Sequence, residues 1–210
     1  MDSEKVVLDP EDMRRALTRV AHEIAERNPQ REPPVLVGIH RRGAFLARRL
    51  QTLLVDLLAH PVLLGDLDIG FYRDDVATRA EAPVVNATHL DFPIDGLTVV
   101  VVDDVLYTGR TVRAAIEALF DYGRPGRLQL AVLADRGHRE LPIRPDYVGK
   151  NLPTAREERV NVRVLELDGC DEVTISCGHP TAGQSSDGGA LAGARAAANG
   201  CTPADKEAPR

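Results

Sequence analysis

Apolar positions along this chain keep two rhythms that alternate from segment to segment. Met13, Ala16, Leu17, Val20 and Ile24 recur at three- and four-residue spacing behind Asp9-Pro10-Glu11-Asp12. That pattern predicts an amphipathic helix with an aspartate cap and an early proline, ending near Asn28-Pro29. Val35-Leu36-Val37-Gly38-Ile39 is an unbroken apolar run after Pro33-Pro34, as a strand covered on both faces would be. It leads through His40-Arg41-Arg42-Gly43 into a helical pattern over residues 44–58. Residues 62–69 read as the next strand, which passes into Phe71-Tyr72-Arg73-Asp74-Asp75. No period is sustained over residues 76–92, so a long loop or hairpin arm is expected there, of a length that suits a lid over a site. Residues 98–102 are the most apolar β-branched run, residues 110–120 are helical in pattern, and residues 128–134 form the next buried strand. Strand, helix and strand in that order predict a right-handed parallel crossover.

Beyond Gly169 the chain turns to Gly, Ala, Ser and Pro. One domain is therefore expected over residues 1–168, with a disordered tail over residues 169–210 that is plainest over 178–210. The 210 residues, 43% hydrophobic and 28% charged, fit a single core and hence a single site. A formal net charge of -6 argues against a protein that coats nucleic acid by bulk electrostatics, although a local basic patch remains compatible with it. No apolar run reaches membrane-spanning length, and Met1-Asp2-Ser3-Glu4-Lys5 lacks the order of a secretory signal, so a cytoplasmic protein without a membrane partner is expected. Cys170, Cys177 and Cys201 all lie late in the chain, which leaves the body without a disulfide framework. Cys170, Cys177 and His179 have neither regular spacing nor a fourth ligand, which argues against a metal site.

The chemistry concentrates where the strongest strand ends. In Val99-Val100-Val101-Val102-Asp103-Asp104-Val105-Leu106-Tyr107-Thr108-Gly109-Arg110-Thr111, a buried strand delivers two carboxylates and then turns into a helix. A helix start offers unpaired N–H groups and the positive end of its dipole, so Thr108 to Thr111 should hold a phosphate monoester. Asp103 and Asp104 accept hydrogen bonds only, which suits the paired hydroxyls of a ribose, and Gly109 lets the backbone approach the phosphate. The plain alternative, a capped helix after an ordinary turn, explains less of the pattern.

This segment resembles the diphosphoribose-binding fingerprint of type I phosphoribosyltransferases. That resemblance implies an α/β fold: a central, mostly parallel sheet flanked by helices, with a small hood and a flexible loop. Further blocks resemble the bifunctional PyrR proteins, which regulate pyrimidine operons and have uracil phosphoribosyltransferase activity. They are Arg14-Arg15-Ala16-Leu17-Thr18-Arg19, His22-Glu23-Ile24, Val37-Gly38-Ile39 with Arg42-Gly43, Leu67-Asp68-Ile69 with Tyr72-Arg73-Asp74-Asp75, Asp135-Arg136-Gly137-His138-Arg139-Glu140-Leu141-Pro142, and the run from Arg144 to Thr154.

The resemblance implies an enzyme that joins uracil to phosphoribosyl diphosphate, with Asp103, Asp104 and Arg42 as catalytic residues. Arg41 and Arg42 would form the diphosphate loop. Phosphoribosyl diphosphate or UMP would further meet Tyr72, Arg73 and the run Asp103, Asp104, Val105, Leu106, Tyr107, Thr108, Gly109, Arg110 and Thr111. Asp74 and Asp135, after strands near one sheet edge, would hold Mg²⁺ directly or through water. Backbone groups of Ala134, Asp135, Arg136 and Gly137 would receive the base, with no single side chain assigned as its reader, under a hood made by the N-terminal region and residues 146–153. Purine-using relatives carry an acid before the Thr-Gly pair, where this chain has Tyr107, which favours a pyrimidine and leaves the general base unassigned.

Thr18, Arg19, His22 and Arg27 share a stripe of the first helix, and His138, Arg139, Arg144, Lys150 and Thr154 gather positive charge further on. By themselves the first group reads better as a solvated helix face. The resemblance makes both groups an RNA-binding surface for pyrimidine-operon mRNA, governed by UMP or UTP, in a homodimer or higher homo-oligomer. The competing readings are a nucleotide-sensing RNA regulator with little turnover and a salvage enzyme for another base.

Overall fold

The computed structural model describes residues 4–28, 32–72 and 88–177, and turns the two rhythms into layers of helix around a sheet. In chain order the elements are β1 (Lys5–Leu8), α1 (Pro10–Arg27), β2 (Val35–Ile39), α2 (Arg42–Leu58), β3 (Leu64–Leu67), β4 (Thr98–Leu106), α3 (Arg110–Phe120), β5 (Arg127–Asp135), β6 (Tyr147–Asn151), β7 (Glu158–Arg163), α4 (Leu165–Asp168) and β8 (Glu172–Cys177). The main sheet runs β3-β2-β4-β5-β6 and every pairing in it is parallel. A separate antiparallel sheet, β1-β8-β7, is the hood.

Alternation along the central strands explains why they read as unbroken apolar runs. Leu36, Val100, Val102, Ala131 and Leu133 pack into the core under α1 and α2, whereas Val35, Val37, Val99, Val101, Leu130 and Val132 pack against α3. Both faces of each strand are covered, so both parities must be apolar. α1 begins as its sequence requires: Asp9 Oδ1 accepts from the Asp12 amide at 2.7 Å, and Pro10 follows where no N–H is needed.

From β2 the chain steps outward to β3, then returns to β4 on the other side of β2. The sheet thus has a switch point between β2 and β4, and at such a point the loops leaving neighbouring strands part and open a crevice. α2 starts on the rim of that crevice only because residue 43 is glycine. A Cβ there would stand 2.5 Å from the Val102 carbonyl oxygen and 3.2 Å from the Asp103 Cα.

Several expectations need correction. β4 runs on to Leu106, so Asp103 and Asp104 lie within the strand and not beyond its end. Residues 146–153 do not belong to the hood: Tyr147–Asn151 is the edge strand of the main sheet, with Tyr147 fully buried. The hood is built from both ends of the described chain, and Glu172–Cys177 pairs with both β1 and β7. The expected boundary between residues 168 and 169 therefore falls inside the hood. Residues 178–210 lie outside the described residues, as do 73–87 of the expected loop; of its remainder, His89 bridges Asp66 in antiparallel fashion. No described helix is long and apolar enough to cross a membrane.

Gly43→Ala should force α2 away from β4 and cost about 1–3 kcal/mol of stability. Denaturant unfolding of the two proteins measures it, and equal stabilities would show that the contact between α2 and β4 yields freely.

Candidate active site

The regular alternation of β4 breaks at its two aspartates. Asp103 Oδ1 accepts from the Asp104 amide at 2.9 Å, and Asp104 Oδ1 from the Val105 amide at 2.7 Å. Val105 then packs towards the α1 and α2 side and Leu106 towards α3, the reverse of the parity before the aspartates. Short acidic side chains that bond to the next amide in this way compete locally with the regular strand pattern, while the pairing with β5 resumes at Val105 and Leu106. Burial pushes the Asp104 carboxyl above the ordinary range, although the Val105 amide and the Arg42 charge pull the other way.

Gly109 caps α3 with φ of 95°, a conformation glycine adopts without strain, and its carbonyl receives the Arg113 amide at 2.9 Å. The start of α3 thereby faces the end of β4 across a crevice of about 280 Å³, lined by Asp103 and residues 105–111. The segment after β5 braces the loop between β4 and α3. The Glu140 and Leu141 amides donate to the Thr108 carbonyl at 3.0 and 3.1 Å, and Arg139 Nη1 donates to the Tyr107 carbonyl at 2.9 Å. Arg110 reaches back to Glu140 at 2.9 Å.

Ala134, Asp135, Arg136 and Gly137 stand beside this loop, since Val105 pairs with Ala134 and Leu106 with Asp135. Their side chains are largely committed. Asp135 accepts from Arg139 Nη2 at 2.5 Å and from the Gly137 amide at 2.9 Å. Arg136 is 7% exposed, and burial pulls its guanidinium below the ordinary arginine range.

On the opposite rim, Arg41 is exposed at the N-cap of α2, while Arg42 turns to the hood. Arg42 Nε and Nη2 donate to Asp168 at 3.2 and 2.9 Å. Burial alone would raise Asp168, but Arg42 and the Val164 amide outweigh it and hold the carboxyl low. One face of α2 also carries Arg49, which pairs with Glu166 and Asp171 at 2.6 and 2.8 Å. This clamp was not anticipated from the sequence, where its signal was two arginines seven residues apart and the acidic stretch around α4. His40, also unanticipated, meets Asp66 at 2.6 Å between the ends of β2 and β3.

Tyr72 is not brought to the crevice. Its hydroxyl donates to Asp121, at the C-cap of α3, whereas the crevice is at that helix's N-terminus about 16 Å away. Arg73 and Asp74 lie outside the described residues. Mg²⁺ takes few protein oxygens and fills its remaining positions with water and phosphate oxygens. Among the described residues no group of three or more His, Cys, Asp or Glu gathers to hold a metal, and Asp135 is tied to Arg139. The donor set fits an ion that shares its coordination with a bound diphosphate and not one caged by protein.

The basic residues divide into two groups. Arg19 donates to the Val148 carbonyl at 3.2 Å and to that of Gly149, and Arg27 to the Asp146 carbonyl at 2.9 Å while stacking 5.1 Å from the Tyr147 ring centre. These arginines of α1 cap the outer edge of β6, with exposed His22 on the same helix and exposed Lys150 on the strand; Thr18 bonds back to the Arg14 carbonyl. His138, Arg139 and Thr154 cluster instead beside the turn between β4 and α3, and Arg144 is exposed nearby in sequence.

The family described as the phosphoribosyl transferase domain matches residues 7–166. The chain is 61% identical over 166 residues to the bifunctional protein PyrR of Roseiflexus sp. (strain RS-1), covering 79% of this chain and 91% of that protein. It is 57% identical over 175 residues to the bifunctional protein PyrR of Chloroflexus aurantiacus, covering 83% and 96%. Among solved structures, a hypoxanthine phosphoribosyl transferase of Trypanosoma cruzi is 22% identical with a TM-score of 0.62, covering 82% of this chain and 90% of that one. The same enzyme in complex with the product IMP is 23% identical with a TM-score of 0.62, covering 84% and 94%. At these identities the structural likeness carries the fold.

Because burial raises Asp104 in the folded protein, its ionised form opposes folding once the pH exceeds that raised value. Asp104→Asn should therefore stabilise the ligand-free protein at neutral pH and raise its Tm. The advantage should shrink as pH falls and vanish below the unfolded value of 3.8, where both states are protonated. Melting curves of the two proteins from pH 7 to pH 3.5 check the sign.

Proposed function

This chain belongs to the phosphoribosyltransferase family and, within it, to the bifunctional PyrR proteins, and from that premise we propose that it makes UMP and diphosphate from uracil and phosphoribosyl diphosphate. The observation that carries the reading is the pair Asp103 and Asp104 on β4, opening directly into the Tyr107–Thr108–Gly109 turn and the start of α3. The α3 amides meet the 5-phosphate, the two carboxylates meet the ribose hydroxyls, and Arg41 meets the diphosphate from the β2 side of the switch point.

In the reaction the anomeric C1–O bond breaks with its electron pair on the departing diphosphate. A C1–N bond to uracil forms, and the proton of that nitrogen is released. Carboxylates beneath the sugar favour the positive charge that develops on the ring, and cationic groups favour the leaving diphosphate, so positioning and electrostatics supply the catalysis. Asp74 and Asp135 would hold Mg²⁺, which would supply charge neutralisation on the diphosphate. Asp135 is the weaker candidate because Arg139 already occupies its carboxylate.

The second activity is uridine-nucleotide-dependent binding of pyrimidine-operon mRNA. What supports it is the basic flank of α1 and β6, on a chain whose net charge is otherwise -6. Looped RNA is read by phosphate contacts and by exposed base edges, which a local patch with polar side chains can supply. Lys150→Ala should weaken binding of such RNA and lower the slope of log affinity against log salt by about one. Filter binding across a salt series measures this, and an unchanged slope would remove Lys150 from the interface. One observation favours the regulator with little turnover: Arg42, expected at the diphosphate, is held by Asp168.

Incubating the protein with phosphoribosyl diphosphate, Mg²⁺ and either uracil, hypoxanthine or orotate should yield nucleotide from uracil alone. Asp103→Asn combined with Asp104→Asn should lower turnover by at least about a hundredfold. Tight UMP binding without product from any base would leave the nucleotide-sensing regulator as the function.

A further inference from the structure

Tyr107 stands at the mouth of the phosphate-side loop, 37% exposed, yet its ring is gripped from two sides. The Arg136 guanidinium lies 4.1 Å from the ring centroid, and the His138 ring meets it edge-on with centroids 6.1 Å apart. Both gripping residues lead to the same turn, the one that enters β7 of the hood. Arg136 Nε donates to Thr154 Oγ1 at 3.2 Å, and its Nη2 donates to the Ala155 carbonyl at 3.1 Å and the Glu158 carbonyl at 2.7 Å. His138 Nε2 lies 2.6 Å from the Thr154 carbonyl oxygen.

A guanidinium has a fixed fork of donors, and here three of its contacts point away from the crevice while its face covers an aromatic ring. At 7% exposure it presents almost no surface to an incoming base. We infer that Arg136 is a positioning residue: it holds the phosphate-side loop against the 154–158 turn through the face of Tyr107, and its side chain does not read the nucleobase. The inference rests on the reading that this loop holds the 5-phosphate. The loop's backbone must be fixed before phosphate arrives if its amides are to bind without an ordering cost, and a buried cation under the first residue of the loop provides that fixation.

The two roles separate on a probe that has no base. Calorimetry with UMP and with ribose 5-phosphate should show Arg136→Gln weakening both by the same factor, about tenfold, as expected for loss of a partly desolvated cation over a ring. Tyr107→Leu, at an exposed position and so independent of whether Arg136→Gln folds well, should show a similar loss. The double variant should be no weaker than the worse single, because both break one contact. Tyr107→Phe, which keeps the ring face, should recover most of the loss. Weaker UMP binding with ribose 5-phosphate unaffected would make Arg136 a base reader and overturn the inference, as would additive effects in the double variant. If the native protein bound neither probe, the phosphate-loop reading would fail and this inference with it.

Discussion

Two carboxylates at the end of a strand buried on both faces impose the central constraint on this molecule. Val99 to Val102 gain stability from full burial, but Asp103, 6% exposed, is carried into the same interior, and Asp104 stands half-buried beside it. Desolvating a carboxylate is expensive unless amides or cations compensate it. The next amides along the chain do so in part, and beyond them the side chains of β4 change faces while its pairing with β5 stays in register up to the loop that precedes α3. What destabilises the free strand end is also what aims acceptor groups at the crevice, a local conflict of the kind expected at a functional site.

Arginines answer that acidity from several directions, and most serve as connectors between elements. Arg42 and Arg49 lie on one face of α2 and tie the main sheet to the hood through Asp168, Glu166 and Asp171. Isolated exposed ion pairs contribute little, but these are partly buried, bidentate and shared, which favours geometric specificity. The hood sheet has its own clasp, in which Glu4 bonds Arg163 and Thr174 across β1, β7 and β8. The hood thus meets the sheet through these ion pairs as well as through Leu8, Val162, Val164 and Val173, which share the core under α1 and α2.

The same economy governs the basic flank. The outermost strand of a sheet presents unpaired carbonyls, and Arg19 and Arg27 cover those of β6 from α1. Residues placed in a nucleic-acid surface by resemblance therefore also finish the sheet. Arg139 likewise holds the Tyr107 carbonyl and the Asp135 carboxylate, so the basic cluster and the turn between β4 and α3 are parts of one framework.

The sequence by itself determined the elements and the centre of the site. Periodicity located α1, β2, α3 and the core of β4 closely, because burial on one helical stripe or on both strand faces leaves a local mark. The run from Asp103 to Thr111 was legible because its strand, turn and helix start are contiguous in the chain, and the same run lines the crevice. Partnerships between distant residues were not legible. That Arg42 pairs with Asp168, that Tyr72 turns to Asp121, that Arg136 spends its donors on the 154–158 turn, and that Glu172–Cys177 completes the hood all depend on how remote segments dock. A side chain's charge and length are written in the sequence, but which of several equally charged partners it meets is decided by the packing of helices on the sheet, and only the tertiary structure fixes that.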